Sequence, residues 1–225
     1  MDSVILETAI LHSPFMEDRK ENPGIITALL GVDTLVYSDD SRLGAWPMKR
    51  HAFSHISPDA THLLLMEDDV IPCKNAYRAA REIARCLPDE IVTLFGGAPG
   101  AKGYRAGFNL FRPPKAVSAV TGQALLISKK DAEGIVKFAD GSNPPIVGHG
   151  GDERIYRYLV EKKRQMVLTG PSLFEHIGVK SAMGNRFTGH NWVKMAGVFP
   201  GVEFDAMSIN WAAAAQKLRQ KDGHT

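Results

Sequence analysis

The sequence predicts an α/β fold with a mainly parallel central sheet flanked by helices. Short apolar runs of strand length alternate with stretches whose apolar residues recur at helical spacing, the pattern of strand and helix in turn that gives an open sheet with helices on its faces. Several of the runs stop abruptly at polar or acidic residues, as strands do where the loops at their carboxyl ends gather a ligand. No internal repeat or low-complexity linker divides the 225 residues, so a single continuous domain over 1–225 is expected, long enough to bury a full core.

Taken in order, SVILETAIL and DTLVYSDD read as the first two strands. His12, Ser13 and Pro14 follow the first, and Asp39 and Asp40 end the second. PGIITALLG between them is apolar enough for a helix packed on a sheet. Met48 to Ile56 carries apolar and small residues at helical spacing, with Lys49, Arg50 and His51 on its more polar side. His62 to Met66 is a continuous apolar run, the mark of a strand covered on both faces or of a short buried helix. It leads into Glu67, Asp68 and Asp69, then through IPCKN, with Pro72, to a helix over Asn75 to Cys86. IVTLFGG and AVTGQALLIS are further strands, and KKDAEGIVKFAD is a helix. GGAPGAKGYRAGF is a glycine-rich loop too irregular for a phosphate-binding fingerprint. The loop GSNPPIVGHGG precedes DERIYRYLVEKK, a helix opened by Asp152 and Glu153, and QMVLTGPSLFEHIG is a short strand and turn. NWAAAAQKLRQK closes the chain as a helix with Trp211 and Leu218 as anchors, either packed back on the domain or paired with another chain.

Adjacent carboxylates repel, and burying one without a partner costs several kcal/mol, on the order of magnitude for desolvated ions. The run Glu67, Asp68, Asp69 therefore demands positive charge nearby, and a hard divalent cation with oxygen ligands is one natural source. The alternative is that these residues cap the next helix or face solvent. Composition adds bounds: 44% hydrophobic and 23% charged residues are those of an ordinary globular protein, and a net charge of +2 neither demands nor forbids a polyanionic partner. The N-terminal apolar run is broken by Glu7 and His12, so neither a signal peptide nor a spanning helix is expected. Cys73 and Cys86 could meet as a disulfide, but their distribution suits a reducing compartment, where free thiols pack as small apolar groups, and a cytoplasmic protein is expected.

The order THLLLMEDDVIPC, TGQALLIS, GGDERIYRYLVEKK, PSLFEHIG resembles that of the GT-A class of nucleotide-sugar glycosyltransferases, and within it the compact enzymes often encoded by bacteriophages. The resemblance runs from Val4 to Gly178. It implies a Rossmann-like GT-A domain with a nucleotide-sugar-binding half over 1–100 and an acceptor-side half over 101–225. It implies Asp69 as direct ligand of Mn2+ or Mg2+, Glu67 and Asp68 at the sugar nucleotide, and His176 as the metal ligand supplied from the C-terminal part. Asp152, with Glu153 beside it, stands where inverting members keep the general base; Asp and Glu there are also what any helix start prefers. His12, Ser13, Pro14 and Asp39 correspond to contacts with base and ribose, and Lys49 or Arg50 to a phosphate contact. The motif here is Glu-Asp-Asp rather than Asp-x-Asp, which leaves the division of labour among the three open. The implied reaction is metal-dependent transfer from a nucleoside-diphosphate sugar, such as a UDP-sugar, to a hydroxyl. Lys180, Arg186, His190 and Lys194 interleaved with Phe187 and Trp192 fit a nucleic acid, a sugar face, or a solvated surface with two core aromatics, the commonest case. The acceptor placed first is the hydroxymethyl group of a modified pyrimidine, such as 5-hydroxymethylcytosine, in phage DNA within the host cytoplasm. Lipopolysaccharide or another glycan is the alternative, and a non-catalytic nucleic-acid-binding protein is the rival of another class.

Overall fold

The computed structural model describes residues 3–96, 107, 109–112, 122–142, 150–177 and 198–223. Most of the glycine-rich stretch after Phe95, most of GSNPPIVGHGG, and Lys180, Arg186, Phe187, His190, Trp192 and Lys194 lie outside them.

The elements run β1 (Leu6–His12), a 3-10 turn (Glu17–Arg19), α1 (Asn22–Leu30), β2 (Leu35–Ser38), α2 (Ala45–Ser54), β3 (His62–Glu67), β4 (Val70–Pro72) and α3 (Ala76–Cys86). They continue β5 (Val92–Thr93), β6 (Leu110–Phe111), β7 (Ala124–Ser128), α4 (Lys129–Asp140), α5 (Gly151–Glu161), β8 (Val167–Thr169), β9 (Phe174–His176) and α6 (Trp211–Asp222). Among the described residues seven strands form one sheet in the order β2-β1-β3-β7-β5-β8-β6, and β4 pairs with β9 in a small second sheet. β1 runs parallel to both β2 and β3, and β5 parallel to β8; β7 and β6 run against their neighbours. Five of the seven strands thus share one direction. The expected mainly parallel α/β architecture holds, with two reversed strands that side-chain pattern alone does not reveal.

Alternation along the central strands builds two cores. Leu6 and Ile10 of β1, Leu64 and Met66 of β3, and Ala124 and Leu126 of β7 face α1, α3 and α6. Ala9 and Leu11, Leu63 and Leu65, and Leu125 and Ile127 face α2, α4 and α5. The continuous apolar runs arise because both faces are covered. Each of the leucine, isoleucine and methionine side chains contributes about 1.5–3 kcal/mol on burial.

Local chemistry sets the helix ends. Pro23 sits in the first turn of α1 and Gly31 ends it in the left-handed region at φ 68°. The Ser128 hydroxyl accepts from the Asp131 N–H at the start of α4, and Asn210 caps α6 in the same way. Trp211 and Leu218 are buried in the core shared with α3, so α6 packs back on its own chain. Both cysteines are free thiols, and burial pushes that of Cys73 up to about 12. Among the described residues no helix is long and apolar enough to cross a membrane.

On the second face the Tyr158 hydroxyl donates to Asp131 Oδ1 at 2.9 Å, and Arg164 Nη1 donates to the same oxygen at 2.7 Å. Burial, then the bond to Asp131, pushes the Tyr158 phenol up to about 12. An unfolded tyrosine titrates near about 10. The stabilisation is therefore complete below about pH 10 and is lost as pH rises toward about 12. Tyr158→Phe is expected to flatten the fall in stability between about pH 10 and about pH 12, measured by urea unfolding against the wild type; an identical slope in both proteins would contradict this account.

Candidate functional site

The sheet order reverses at β1, with β2 on one side and β3 on the other, and the loops after these strands diverge to leave a cavity of about 380 Å³. Such a reversal is where open α/β sheets bind ligands. Its lining includes His12 and Ser13 from the end of β1, Asp39 after β2, Glu67, Asp68 and Asp69 at the end of β3, and Phe15, Arg19 and Arg42 from the connecting loops.

Pleating divides the three carboxylates. Consecutive side chains at a strand end point to opposite faces. Glu67, two residues beyond Leu65, turns toward α2 and α5, where Lys49 Nζ donates to its Oε1 at 3.0 Å. Asp68, two beyond Met66, turns toward the α1 side. There it accepts from Arg19 Nη1 at 2.8 Å, from the Ser13 N–H at 2.7 Å, and lies 2.9 Å from His12 Nδ1. Its own carbonyl accepts from Asn22 Nδ2 at 2.7 Å. Asp69 Oδ2 takes Arg19 Nη1 at 2.9 Å and lies 3.2 Å from His176 Nε2. His176 reaches this point because β4 and β9 pair antiparallel, with Val70 opposite His176, and the Ile177 N–H closes on the Asp69 carbonyl at 2.9 Å.

Among the described residues the required positive charge thus comes from Arg19 and Lys49, which are 3% and 1% exposed. Both are shifted upward: burial opposes the charge, but the carboxylates beside them outweigh it. For Asp69, burial pushes the carboxyl up and the bond from His176 with the Arg19 guanidinium pulls it below its ordinary value. Glu67 goes the other way, raised by burial despite Lys49, with Asp69 and Asp152 adding repulsion.

Lys49 Nζ also donates to Asp152 Oδ1 at 2.9 Å. Lys49, expected at a phosphate, therefore faces inward as the link between Glu67 and Asp152. Arg50 pairs with Asp140 at the exposed surface, and Glu153 pairs with Arg157 one helical turn on. Of the two acidic residues opening α5, only Asp152 joins the cluster. The N-cap of α5 is Gly150, and Asp152 makes no capping bond, so its orientation comes from Lys49. Both Asp39 oxygens accept backbone N–H groups, of Leu43 at 2.6 Å and Gly44 at 2.9 Å, which shapes the loop and leaves lone pairs toward the cavity. Pro14 is not among the residues lining it. Sequence reasoning passed over Arg19; its only signal was the charge that the acidic run demands. Phe15 and Arg42, with the guanidinium 4.8 Å from the ring centroid, were also missed.

Two observations bear on a metal. Asp69 Oδ1 is buried with no hydrogen-bond partner, although its residue lines the cavity. Among the described residues the four carboxylates Glu67, Asp68, Asp69 and Asp152 against Lys49 and Arg19 sum to a formal charge of −2, with His12 and His176 counted as neutral. Asp69 meets His176 through Oδ2, 3.2 Å from Nε2, which leaves Oδ1 as the oxygen without a partner among the described residues. Among the described residues no group of three His, Cys, Asp or Glu side chains is arranged to hold an ion. Asp69 and His176 stand side by side as two donors and do not make up such a group by themselves.

The chain matches no family model and no curated protein. One solved structure similar to it is that of a Drosophila β-1,4-galactosyltransferase 7 point mutant in complex with manganese, UDP-Gal and xylobiose. Sequence identity is 13%, 83% of this chain and 76% of that chain are covered, and the TM-score is 0.45. At that identity the likeness assigns no role to any residue.

Arg19 is the only guanidinium the described residues bring to Asp68 and Asp69. Arg19→Met is expected to cost about 3–5 kcal/mol, the penalty for breaking a buried pair and stranding its carboxylates. Denaturant unfolding at neutral pH measures this; a loss below about 1 kcal/mol would mean that the guanidinium is replaceable by water.

Proposed function

We propose that the protein is a metal-dependent glycosyltransferase moving a sugar from a nucleoside-diphosphate sugar, UDP-sugars foremost, to a hydroxyl acceptor. The observation that carries this reading is the partnerless, buried Asp69 Oδ1 beside His176 in the wall of the cavity. Asp69 and His176 are the residues to hold Mn2+ or Mg2+; an imidazole suits manganese better than magnesium. A cation bound there supplies charge neutralisation for the departing diphosphate.

The chain's own groups supply the rest. Phe15 and Arg42 offer flat faces for a nucleobase, and Asp39 keeps lone pairs for ribose hydroxyls. Arg19 fixes the carboxylates of Asp68 and Asp69 at the end of β3 by holding one oxygen of each. Asp152 takes the proton of the attacking hydroxyl through Oδ2, since Oδ1 belongs to Lys49. For the acceptor, the basic and aromatic composition of residues 180–194 supports the hydroxymethyl group of a modified pyrimidine in DNA, with a flipped base presented to the donor. A glycan hydroxyl is the competing acceptor.

The test is release of nucleoside diphosphate from a panel of nucleotide sugars, with Mn2+ or with chelator, offered water, hydroxymethylated duplex DNA or oligosaccharide. Release from one donor, abolished by chelator and lowered about 100-fold or more by Asp69→Ala, is the expected result, and the acceptor that accelerates it names the second substrate. Mn2+ binding in the presence of UDP, followed by calorimetry, should vanish in the same variant. A folded protein that turns over no donor, and whose affinity for DNA is unchanged or improved by Asp69→Ala, would be a nucleic-acid-binding protein instead.

A further inference from the structure

The ammonium of Lys49 lies at the junction of three elements: α2, which carries it, the end of β3 and the first turn of α5. Burying an ammonium this deeply is costly, and an apolar side chain of like size is often no worse for stability. The fold nevertheless makes room for it twice. A Cβ at Gly122 would stand 2.0 Å from Lys49 Nζ and 2.3 Å from Asp152 Oδ1, and one at Gly151 would stand 2.4 Å from Lys49 Cδ. Side chains are thus excluded on both sides of the lysine, which a solvated surface pair would not require.

We infer that Lys49 is a positioning residue: by holding Asp152 Oδ1 it fixes the carboxylate plane and presents Oδ2 toward the acceptor. This rests on the glycosyltransferase reading. In the first turn of a helix an aspartate has other choices, bonding to the N–H groups of its own turn or rotating among staggered wells. Asp152 makes no such bond. Its carboxylate is 33% exposed and that of Glu67 29%, while Lys49 is 1% exposed, so the rigid member lies inside and the open members face outward. Oδ2 has no hydrogen-bond partner among the described residues. Glu67, on the same ammonium, links Asp152 to the strand end that lines the cavity.

The decisive experiment is a double-mutant cycle read by two measurements, donor hydrolysis with water as acceptor and calorimetric binding of UDP with Mn2+. The variants are Lys49→Met, Asp152→Asn and Gly122→Ala. The last parts Nζ from Oδ1 by contact with the ends of two side chains and not with backbone, a second way to break the link should Lys49→Met prove too unstable. Lys49→Met and Gly122→Ala are each expected to lower kcat about 100-fold while UDP affinity stays within about threefold. In the Asp152→Asn background neither should lower kcat further, because residues acting as a unit are not additive. Multiplying losses in the double variants, or a kcat unchanged by Gly122→Ala, would overturn the positioning role even with the wild type active. A wild type that neither binds UDP nor turns over any donor would overturn the glycosyltransferase reading, and the positioning role with it.

Discussion

The neutralisation of a run of carboxylates at the end of β3 is the constraint on which the rest of this molecule depends. Asp68 and Asp69 are 1% and 5% exposed, and ions so far from water are tolerated only with close counter-charges and hydrogen bonds. Meeting that condition recruits parts of the chain with no other reason to meet. Arg19 brings in the turn before α1, and the bond from Asn22 to the Asp68 carbonyl ties down the start of the helix itself. Lys49 draws α2 toward the first turn of α5, across a sequence separation of 103 residues. The small β4-β9 ladder does the same for His176. Apolar burial supplies most of the free energy of such a fold, but it does not say which loops meet above the sheet. Here the charges do.

Much of the fold was legible because local and global preferences agree. α4 runs over Lys129–Asp140, the span read from the sequence, since Ser128 caps its start and its apolar positions keep a helical period. β1, β3 and β7 were legible as strands from their continuous apolar character, which follows from cover on both faces. Strand direction was not. Leu125 and Ile127 would alternate with Leu126 whichever way β7 ran, and its reversal against β3 depends on a connection that side-chain pattern does not encode. β4 was read as loop because three residues containing a proline carry no strand signal. Its partner, Phe174–His176, comes a hundred residues later in the chain, beyond the reach of any local rule.

At the site, chemistry was more legible than geometry. Glu67, Asp68 and Asp69 stand out because acids directly after a buried run are anomalous, and the same reasoning demanded a cation. It did not say which one. Arg19 lies in EDRKENP, a stretch that reads as solvated surface, and only the fold turns it inward to 3% exposure. Lys49 and Arg50 are neighbours of one type on one helix, yet one is buried between two carboxylates and the other pairs at the surface. The 100° step between consecutive helical residues decides which, and a helix whose apolar face is weakly marked leaves that rotation unspecified. Asp152 and Glu153 separate for the same reason, one joining Lys49 and the other pairing along the helix surface.

The pleat explains why three acids can follow one another at all. Glu67 continues the face of Leu63 and Leu65, and Asp68 the face of Leu64 and Met66. Each therefore meets a cation from the helical layer on its own side, Lys49 from α2 and Arg19 from the approach to α1. A slip of β3 by one residue would exchange the two faces and separate both ion pairs while moving every apolar side chain to the opposite core. The charges consequently enforce the same register as the leucines, and they do so where the strand ends and apolar packing gives out. Asp69, one residue further, is served from two directions, by Arg19 and by His176, and still keeps one oxygen without a partner. A strand end that needed only to be neutralised would be complete at Asp68. The extra carboxylate, in a residue that lines the cavity and with one oxygen to spare among the described residues, is the observation on which the proposed cation site rests.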